Sequence, residues 1–110
     1  MSKWKVPVHK ETGQVFVAST RYYTKEYIER TFDWLDPWEF ELEAAPYRSF
    51  KTRSSAGVTF KDESGNTWPI LVNDLIPVLR AMHNGKVRGR FGFEKRGVRI
   101  CVVPLELYDP

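Results

Sequence analysis

Short runs of alternating apolar and polar residues dominate the chain, and this period of two predicts strands. The first run covers residues 4–8, stops at 11–13 and resumes at 15–17. Turn-forming residues between two alternating runs are typical of a hairpin, so the N-terminus is predicted to form one. Pro7 cannot donate a ladder hydrogen bond, which makes the first strand a candidate for a sheet edge.

Two segments have helical spacing instead. Thr24 stands at an N-cap position, and apolar residues recur at helical intervals over 28–35, before the Asp-Pro pair at 36–37. This pattern predicts a first helix that ends at the proline. A second helix is predicted over residues 75–82, with the polar pair 73–74 supplying its cap.

The middle of the chain predicts more strands. Over residues 38–43, three apolar side chains alternate with Glu39, Glu41 and Glu43, and a strand with such a charged face suits a sheet edge. Residues 47–57 have no clear period and are predicted to form a loop. The runs 58–60 and 68–72 flank a turn-rich segment, which predicts another hairpin. The prediction is therefore a single α+β domain spanning residues 1–110, in the order ββαβββαββ.

A third hairpin is predicted from residues 86–93 and 98–103. Alternation places Val87, Gly89, Phe91 and Phe93 on one face of its first strand. A loop of two residues (95–96) or of four (94–97) would align Phe93 with Val98 and Phe91 with Ile100. Burial favours this register, because a slip of one residue would move every side chain to the other face.

The opposite face of this hairpin carries a cluster of cations that we call the basic comb. It comprises Lys86, Arg88, Arg90 and Arg99, with Lys95 and Arg96 at the tip. Two-stranded ribbons can hold phosphates and enter a DNA groove, so the comb predicts contact with a polyanion. Lys51 and Arg53 lie in the predicted loop and would join the comb if they fold beside it.

The acidic residues are concentrated elsewhere, with six acidic residues and a single cation between residues 29 and 43. If this segment lies apart from the comb, the protein has a cationic face that attracts polyanions. If the two segments lie adjacent, they neutralise each other. The sequence leaves both arrangements open.

The run Arg90-Phe91-Gly92-Phe93 partly resembles the RNP1 motif of RNA-recognition and cold-shock folds. Arg90 replaces the preceding glycine of that motif, and Glu94 replaces its usual apolar residue. The aromatic residues of RNP1 are exposed and stack on bases. Here the apolar partners predicted for Phe91 and Phe93 favour core packing instead.

Composition narrows the class of protein. A chain of 110 residues can bury one core without a disulfide or a metal, and its single cysteine, Cys101, cannot form an internal disulfide. His9 and His83 have no metal-ligand spacing, and the glutamate row has no catalytic partner, so we expect no cofactor and no enzymatic activity. No signal sequence or membrane span is evident, which predicts a cytoplasmic protein without membrane contact.

The residues 57–60, 62, 65, 68–70 and 75, together with 85–97, resemble in style the compact, aromatic-rich accessory proteins of bacteriophages. The resemblance covers about half of the chain and includes no defined family motif. It implies a non-catalytic binder that acts on host machinery, nucleic acid or a defence component.

The leading functional prediction is a small binding domain that contacts nucleic acid, DNA or RNA, through the basic comb, aided by Lys51 and Arg53. The net charge of +3 is too small for coating by charge alone, so a local cluster has to supply the contact. The alternative is a protein-interaction or inhibitor module that docks on an anionic protein surface. A homodimer joined through the acidic strand and the basic hairpin is one form of that alternative.

Overall fold

The computed structural model describes residues 4–17, 20, 23–97 and 99–108. The elements in chain order are β1 (Val6–His9), α1 (Lys25–Thr31), β2 (Phe32–Leu35), β3 (Phe40–Lys51), β4 (Ala56–Asp62), β5 (Thr67–Leu71), α2 (Val72–Arg80), β6 (Val87–Arg96) and β7 (Arg99–Leu107). Strands account for 54% of the structure and helices for 16%, so the protein has the broad α+β character that was predicted and is rich in strand.

The strands β3–β7 form one antiparallel sheet in the order β5-β4-β3-β6-β7. The predicted edge position of the glutamate-bearing strand is wrong, because β3 lies at the centre. Its first half pairs with β6 and its second half with β4. The predicted loop over 47–57 is also wrong for most of its length, since β3 continues to Lys51 and β4 begins at Ala56. The polar stretch lacks an alternating apolar pattern, but its backbone pairs with β4 and so remains a strand.

The N-terminal part differs from the predicted hairpin. β1 pairs with β2, whereas residues 15–17 contribute only the isolated bridge between Val8 and Val15. Thr24 caps α1 as predicted, with its hydroxyl accepting a hydrogen bond from the Tyr27 amide at 3.2 Å. The helix ends at Thr31 because Phe32 is extended (φ −117°, ψ 142°) and starts β2, where its side chain is buried.

The second helix begins earlier than predicted. α2 starts at Val72, and its N-cap residue, Leu71, makes no side-chain capping bond. The predicted capping role of residues 73–74 is therefore wrong, and Asp74 binds Arg96 instead. The helix ends at Arg80, two residues before the predicted end at Met82. The turn that follows it contains Asn84 and Gly85, which both have positive φ.

The core lies within the curl of the large sheet, whose edge strands β5 and β7 contact each other. The largest of the fully buried side chains are those of Phe60, Phe91, Ile70, Val6, Val78, Val87 and Val102. The apolar face predicted for β6 is confirmed for Val87, Gly89 and Phe91, which are buried, and Phe93 packs against the core. Full burial of Phe91 also rules out an RNP1-like stacking surface at this position.

The predicted register of the β6–β7 hairpin is wrong. Phe93 pairs with Val102, Lys95 with Ile100 and Arg96 with Arg99. The turn therefore lies beyond Arg96, where Gly97 adopts a φ of 64° that favours glycine. The predicted partner Val98 lies outside the described residues. As a consequence, Arg99 lies directly opposite Arg96 at the end of the sheet.

Candidate anion-binding site

The acidic strand and the basic comb lie side by side, which decides between the two arrangements that the sequence left open. Glu41 is opposite Arg90, and Glu43 is opposite Arg88, in the pairing of β3 with β6. We call these adjoining rows the charge ladder, which comprises Glu39, Glu41, Glu43, Lys86, Arg88 and Arg90. The two segments therefore neutralise each other on one face of the sheet.

The cations of the charge ladder are all engaged by carboxylates. Lys86 Nζ lies 3.6 Å from Glu43 and 3.5 Å from Glu63. Arg88 Nε lies 3.7 Å from Glu43. Arg90 binds Glu39 and lies 3.5 Å from Glu106. A phosphate at this face would have to compete with these carboxylates.

The charge ladder is exposed, so solvent screens each of its pairs. The hydrogen bond from Arg90 to Glu39 raises the pKa of the guanidinium. At the end of the ladder, the Tyr108 hydroxyl donates to Glu41 Oε1 at 2.7 Å, and this bond raises the pKa of the phenol. Both raised pKa values stabilise the protonated form that each group already has at neutral pH.

Arg96 is held in a more enclosed setting. Its two terminal nitrogens donate to the Asp74 carboxylate at 3.1 and 3.4 Å, and its Nε donates to Glu94 at 3.3 Å. The hydrogen bond to Asp74 is the main cause of a raised pKa for Arg96. Because Asp74 lies in the first turn of α2, this bidentate pair ties the tip of β6 to the helix.

Four of the predicted site residues remain, and we call them the tip cations: Lys51, Arg53, Lys95 and Arg99. Among the described residues, no carboxylate lies within salt-bridge distance of any of them. Thr52, which lies between Lys51 and Arg53, lines the same cavity as Arg99. Lys95 is the cross-strand partner of Ile100, another residue of that cavity. The β3–β4 loop therefore lies beside the β6–β7 hairpin, which is the arrangement in which Lys51 and Arg53 were expected to join the basic comb.

The cavity at this end of the sheet has a volume of about 220 Å³ and a mainly apolar lining. Its walls are formed by Val17, Phe50, Thr52, Thr59, Pro69, Leu71, Arg99, Ile100 and Cys101. The Phe50 ring lies over Gly57, where a Cβ atom would come within 2.7 Å of Phe50 Cζ. Arg99, which has no carboxylate partner among the described residues, thus lines an apolar space. Three exposed cations lie next to that lining, Lys51 and Arg53 beside Thr52 in the chain and Lys95 opposite Ile100.

A larger polar cleft of about 610 Å³ lies beside the charge ladder. It is lined by Glu43, Ala81, His83, Asn84, Lys86, Arg88 and Tyr108. Its two cations are those that Glu43 already engages, so this cleft offers an anion less uncompensated charge than the tip does.

Sequence reasoning missed the apolar half of the site. The sequence predicted a loop at Phe50 and a strand at Thr59, and it indicated neither residue as part of a binding site. A signal was present, since Phe50 is the one large apolar residue in the polar stretch 48–55. Its role became recognisable only when pairing placed it opposite Gly57, whose missing side chain makes room for the ring.

Within the described part of the chain, no cluster of three or more His, Cys, Asp or Glu side chains is suited to hold a metal ion. In the same residues, no helix combines the length and apolar character that crossing a membrane requires. No protein-family model matches the chain, and no curated protein or solved structure matches it significantly.

Proposed function

We propose that the protein binds single-stranded nucleic acid, DNA or RNA, at the apolar cavity that Arg99 lines and that the other tip cations adjoin. The observation that carries the proposal is the contrast between two groups of cations. Those of the charge ladder have carboxylate partners, whereas the tip cations have none among the described residues.

Electrostatics favours the tip as the phosphate contact. Arg96 and Arg99 lie directly opposite each other, and like charges in such a pair are unfavourable unless something neutralises them. Asp74 and Glu94 neutralise Arg96, which leaves the charge of Arg99 available. A phosphate near Arg99 would therefore meet a cation that no carboxylate among the described residues engages.

The combination of cations with an apolar wall favours a single strand over a duplex. Proteins that bind single strands pair a cationic surface for the backbone with aromatic side chains for the bases. Phe50 is the aromatic residue at this site, and Lys51 follows it directly in the chain. A duplex would present only phosphates and stacked base edges to such a small cavity.

The test compares two double variants with equal loss of charge. Lys51→Ala with Arg53→Ala removes two tip cations, and Arg88→Ala with Arg90→Ala removes two ladder cations. Fluorescence anisotropy with labelled single- and double-stranded DNA and RNA is recorded at about 50 and about 200 mM salt. We expect the tip variant to bind single strands more weakly and to reduce the slope of log K against log salt by about 1.4.

The matched ladder variant should retain most of the wild-type affinity, because its arginines are already engaged by carboxylates. A larger loss in the ladder variant than in the tip variant would return the contact to the charge ladder and contradict the proposed site. Absence of binding to every oligonucleotide at the lower salt concentration would refute the function itself.

A second candidate function is a protein-interaction or inhibitor module, of the kind that the resemblance to phage accessory proteins implies. It is favoured by one face of α2, where Val72, Ile76 and Leu79 are 50%, 60% and 47% exposed at helical spacing. Apolar stripes on a surface helix are typical of docking sites. Self-association is the form that can be tested without a partner, by sedimentation equilibrium of the wild type and of Ile76→Glu at two salt concentrations.

A further inference from the structure

The apolar cavity beside the tip cations has a size that matches one small planar ring. An apolar protein cavity of about 150 Å³ can bind benzene, which corresponds to about 25 Å³ for each non-hydrogen atom. On that scale, a volume of about 220 Å³ accommodates about nine such atoms. Pyrimidine bases have about eight or nine, and purine bases have more, so a pyrimidine fits and a purine exceeds the space.

The lining of the cavity offers apolar side chains to the face of such a ring and a few polar side chains to its edge. Phe50, Pro69 and Leu71 supply apolar surface for a ring face. Thr52 is committed to its own turn, since its hydroxyl donates to the Ser55 carbonyl at 3.2 Å and accepts from the Ser55 amide at 3.0 Å. Among the described residues of the lining, the other side chains with polar atoms are Thr59, Arg99 and the weakly polar thiol of Cys101.

Arg99 restricts which edge of a base could approach it. A guanidinium has donors only, so it pairs with carbonyl oxygens and not with amino groups. Thymine and uracil carry carbonyl oxygens at both O2 and O4, whereas cytosine has an amino group in place of O4. The three other tip cations are not part of the lining, but Lys51 and Arg53 flank Thr52 in the chain and Lys95 pairs with Ile100. They are therefore the candidates for contact with the phosphates on either side of an inserted base.

We propose that the cavity receives one pyrimidine base of the bound strand, with the ring against Phe50 and a carbonyl edge toward Arg99. This inference rests on the proposed function, and it adds a base-dependent contact to the phosphate contacts of the tip cations. Stacking on an aromatic side chain strengthens binding by about tenfold or more for each base. Binding should therefore depend on the presence of bases and not only on the charge of the backbone.

The experiment uses three labelled strands of the same length and charge, each of about eight nucleotides. They are oligothymidylate, oligoadenylate and a fully abasic deoxyribose-phosphate chain. We expect oligothymidylate to bind the wild-type protein about tenfold more tightly than the abasic chain, with oligoadenylate closer to the abasic chain. Alkylation of Cys101, the single cysteine and a residue of the cavity wall, should be slowed by oligothymidylate and not by the abasic chain.

A variant that fills the cavity isolates its contribution. Thr59→Phe places a ring in the space, so the affinity for oligothymidylate should fall to that for the abasic chain, which itself should stay unchanged. Ser49→Phe adds the same ring at an exposed position of β3 outside the cavity lining and should have no such effect. If circular dichroism shows that Thr59→Phe does not fold, Phe50→Leu tests the same contact by removing the ring while keeping an apolar side chain.

The outcomes separate the inference from the function on which it rests. Equal affinity for oligothymidylate and the abasic chain would overturn the base contact and leave the phosphate contact standing. Equal affinity for thymidylate and adenylate, with Cys101 protected by both, would overturn the selection of pyrimidines. No binding of any strand would refute the proposed function.

Discussion

Replacing Gly57 with alanine should destabilise the protein because there is no space for the added methyl group. A Cβ atom at this position would lie 2.2 Å from the carbonyl oxygen of Ile70 and 2.7 Å from Phe50 Cζ. The first of these atoms belongs to the backbone of β5, which is paired with β4 at this point. It can withdraw only if the ladder between the two strands opens locally.

The expected magnitude follows from three terms. Overpacking costs about 2 kcal/mol, and weakening one ladder hydrogen bond costs about 1 kcal/mol. Alanine lowers the conformational entropy of the unfolded chain relative to glycine, and this effect stabilises the folded state by about 0.7 kcal/mol. The free energy of unfolding should therefore fall by about 2 kcal/mol. With an unfolding entropy of about 2 cal/mol/K per residue, this loss lowers the Tm of the 110-residue chain by about 9 °C.

Gly92→Ala is the matched control. This glycine is also buried, but the nearest atom to its added Cβ is Leu105 Cδ1 at 2.9 Å, the end of a flexible side chain that is 45% exposed. We expect a change below about 0.5 kcal/mol, since the leucine can rotate away. Urea unfolding and differential scanning calorimetry measure both variants. The steric reasoning fails if Gly57→Ala is as stable as the wild type, or if the two variants lose equal stability.

Three further predictions concern the ion pair, the cysteine and the β4–β5 turn. Alanine variants of Asp74 and Arg96 in a double-mutant cycle should give a coupling energy of about 1 kcal/mol, and a value near zero would mean that the pair does not tie the hairpin to the helix. Burial raises the pKa of the Cys101 thiol above its ordinary value of 9.0, so less thiolate is present at any given pH. The rate of alkylation by iodoacetamide, followed by mass spectrometry, should therefore still be rising above pH 9.0. A rate that reaches its plateau below pH 9.0 would contradict the raised pKa. Asp62 accepts hydrogen bonds from the Asn66 amide at 2.9 Å and from Trp68 Nε1 at 3.0 Å, so Asp62→Ala should lower the free energy of unfolding by about 1–2 kcal/mol in urea titrations, with an unchanged urea midpoint as the contrary result.

Local patterns predicted those elements whose residues carry their own signal. The cap at Thr24, the β4–β5 hairpin and the apolar face of β6 follow from residue types at fixed spacing. The end of α1 did not follow, because residues 28–35 satisfy a helical period while Phe32 gains more from pairing and burial in β2. The period of an apolar pattern cannot predict that a segment will pair with a strand more than 20 positions away in the chain.

The sequence was enough to predict which cations belong to the candidate site, but not which of them pair with carboxylates. All eight cations of the predicted site were visible in the sequence, but which of them face carboxylates depends on the alignment of β3 with β6. That alignment brings Glu41 and Glu43 opposite Arg90 and Arg88, and no local rule specifies it. The hairpin register failed for a related reason, since the ion pair between Arg96 and Asp74 stabilises a charged strand end that apolar matching alone would assign to the loop.

The pairing of β3 with β6 also has a consequence for the route by which the chain folds. β3, β4 and β5 pair with their neighbours in sequence, and so do β6 and β7, whereas Ala44 and Val87 at the junction are 43 positions apart. Local pairings form before distant ones because closing a long loop costs more entropy. We therefore expect the β3–β4–β5 meander and the β6–β7 hairpin to form early and to join late. The charge ladder lies along their junction, so its opposite charges would guide the two halves of the sheet into register.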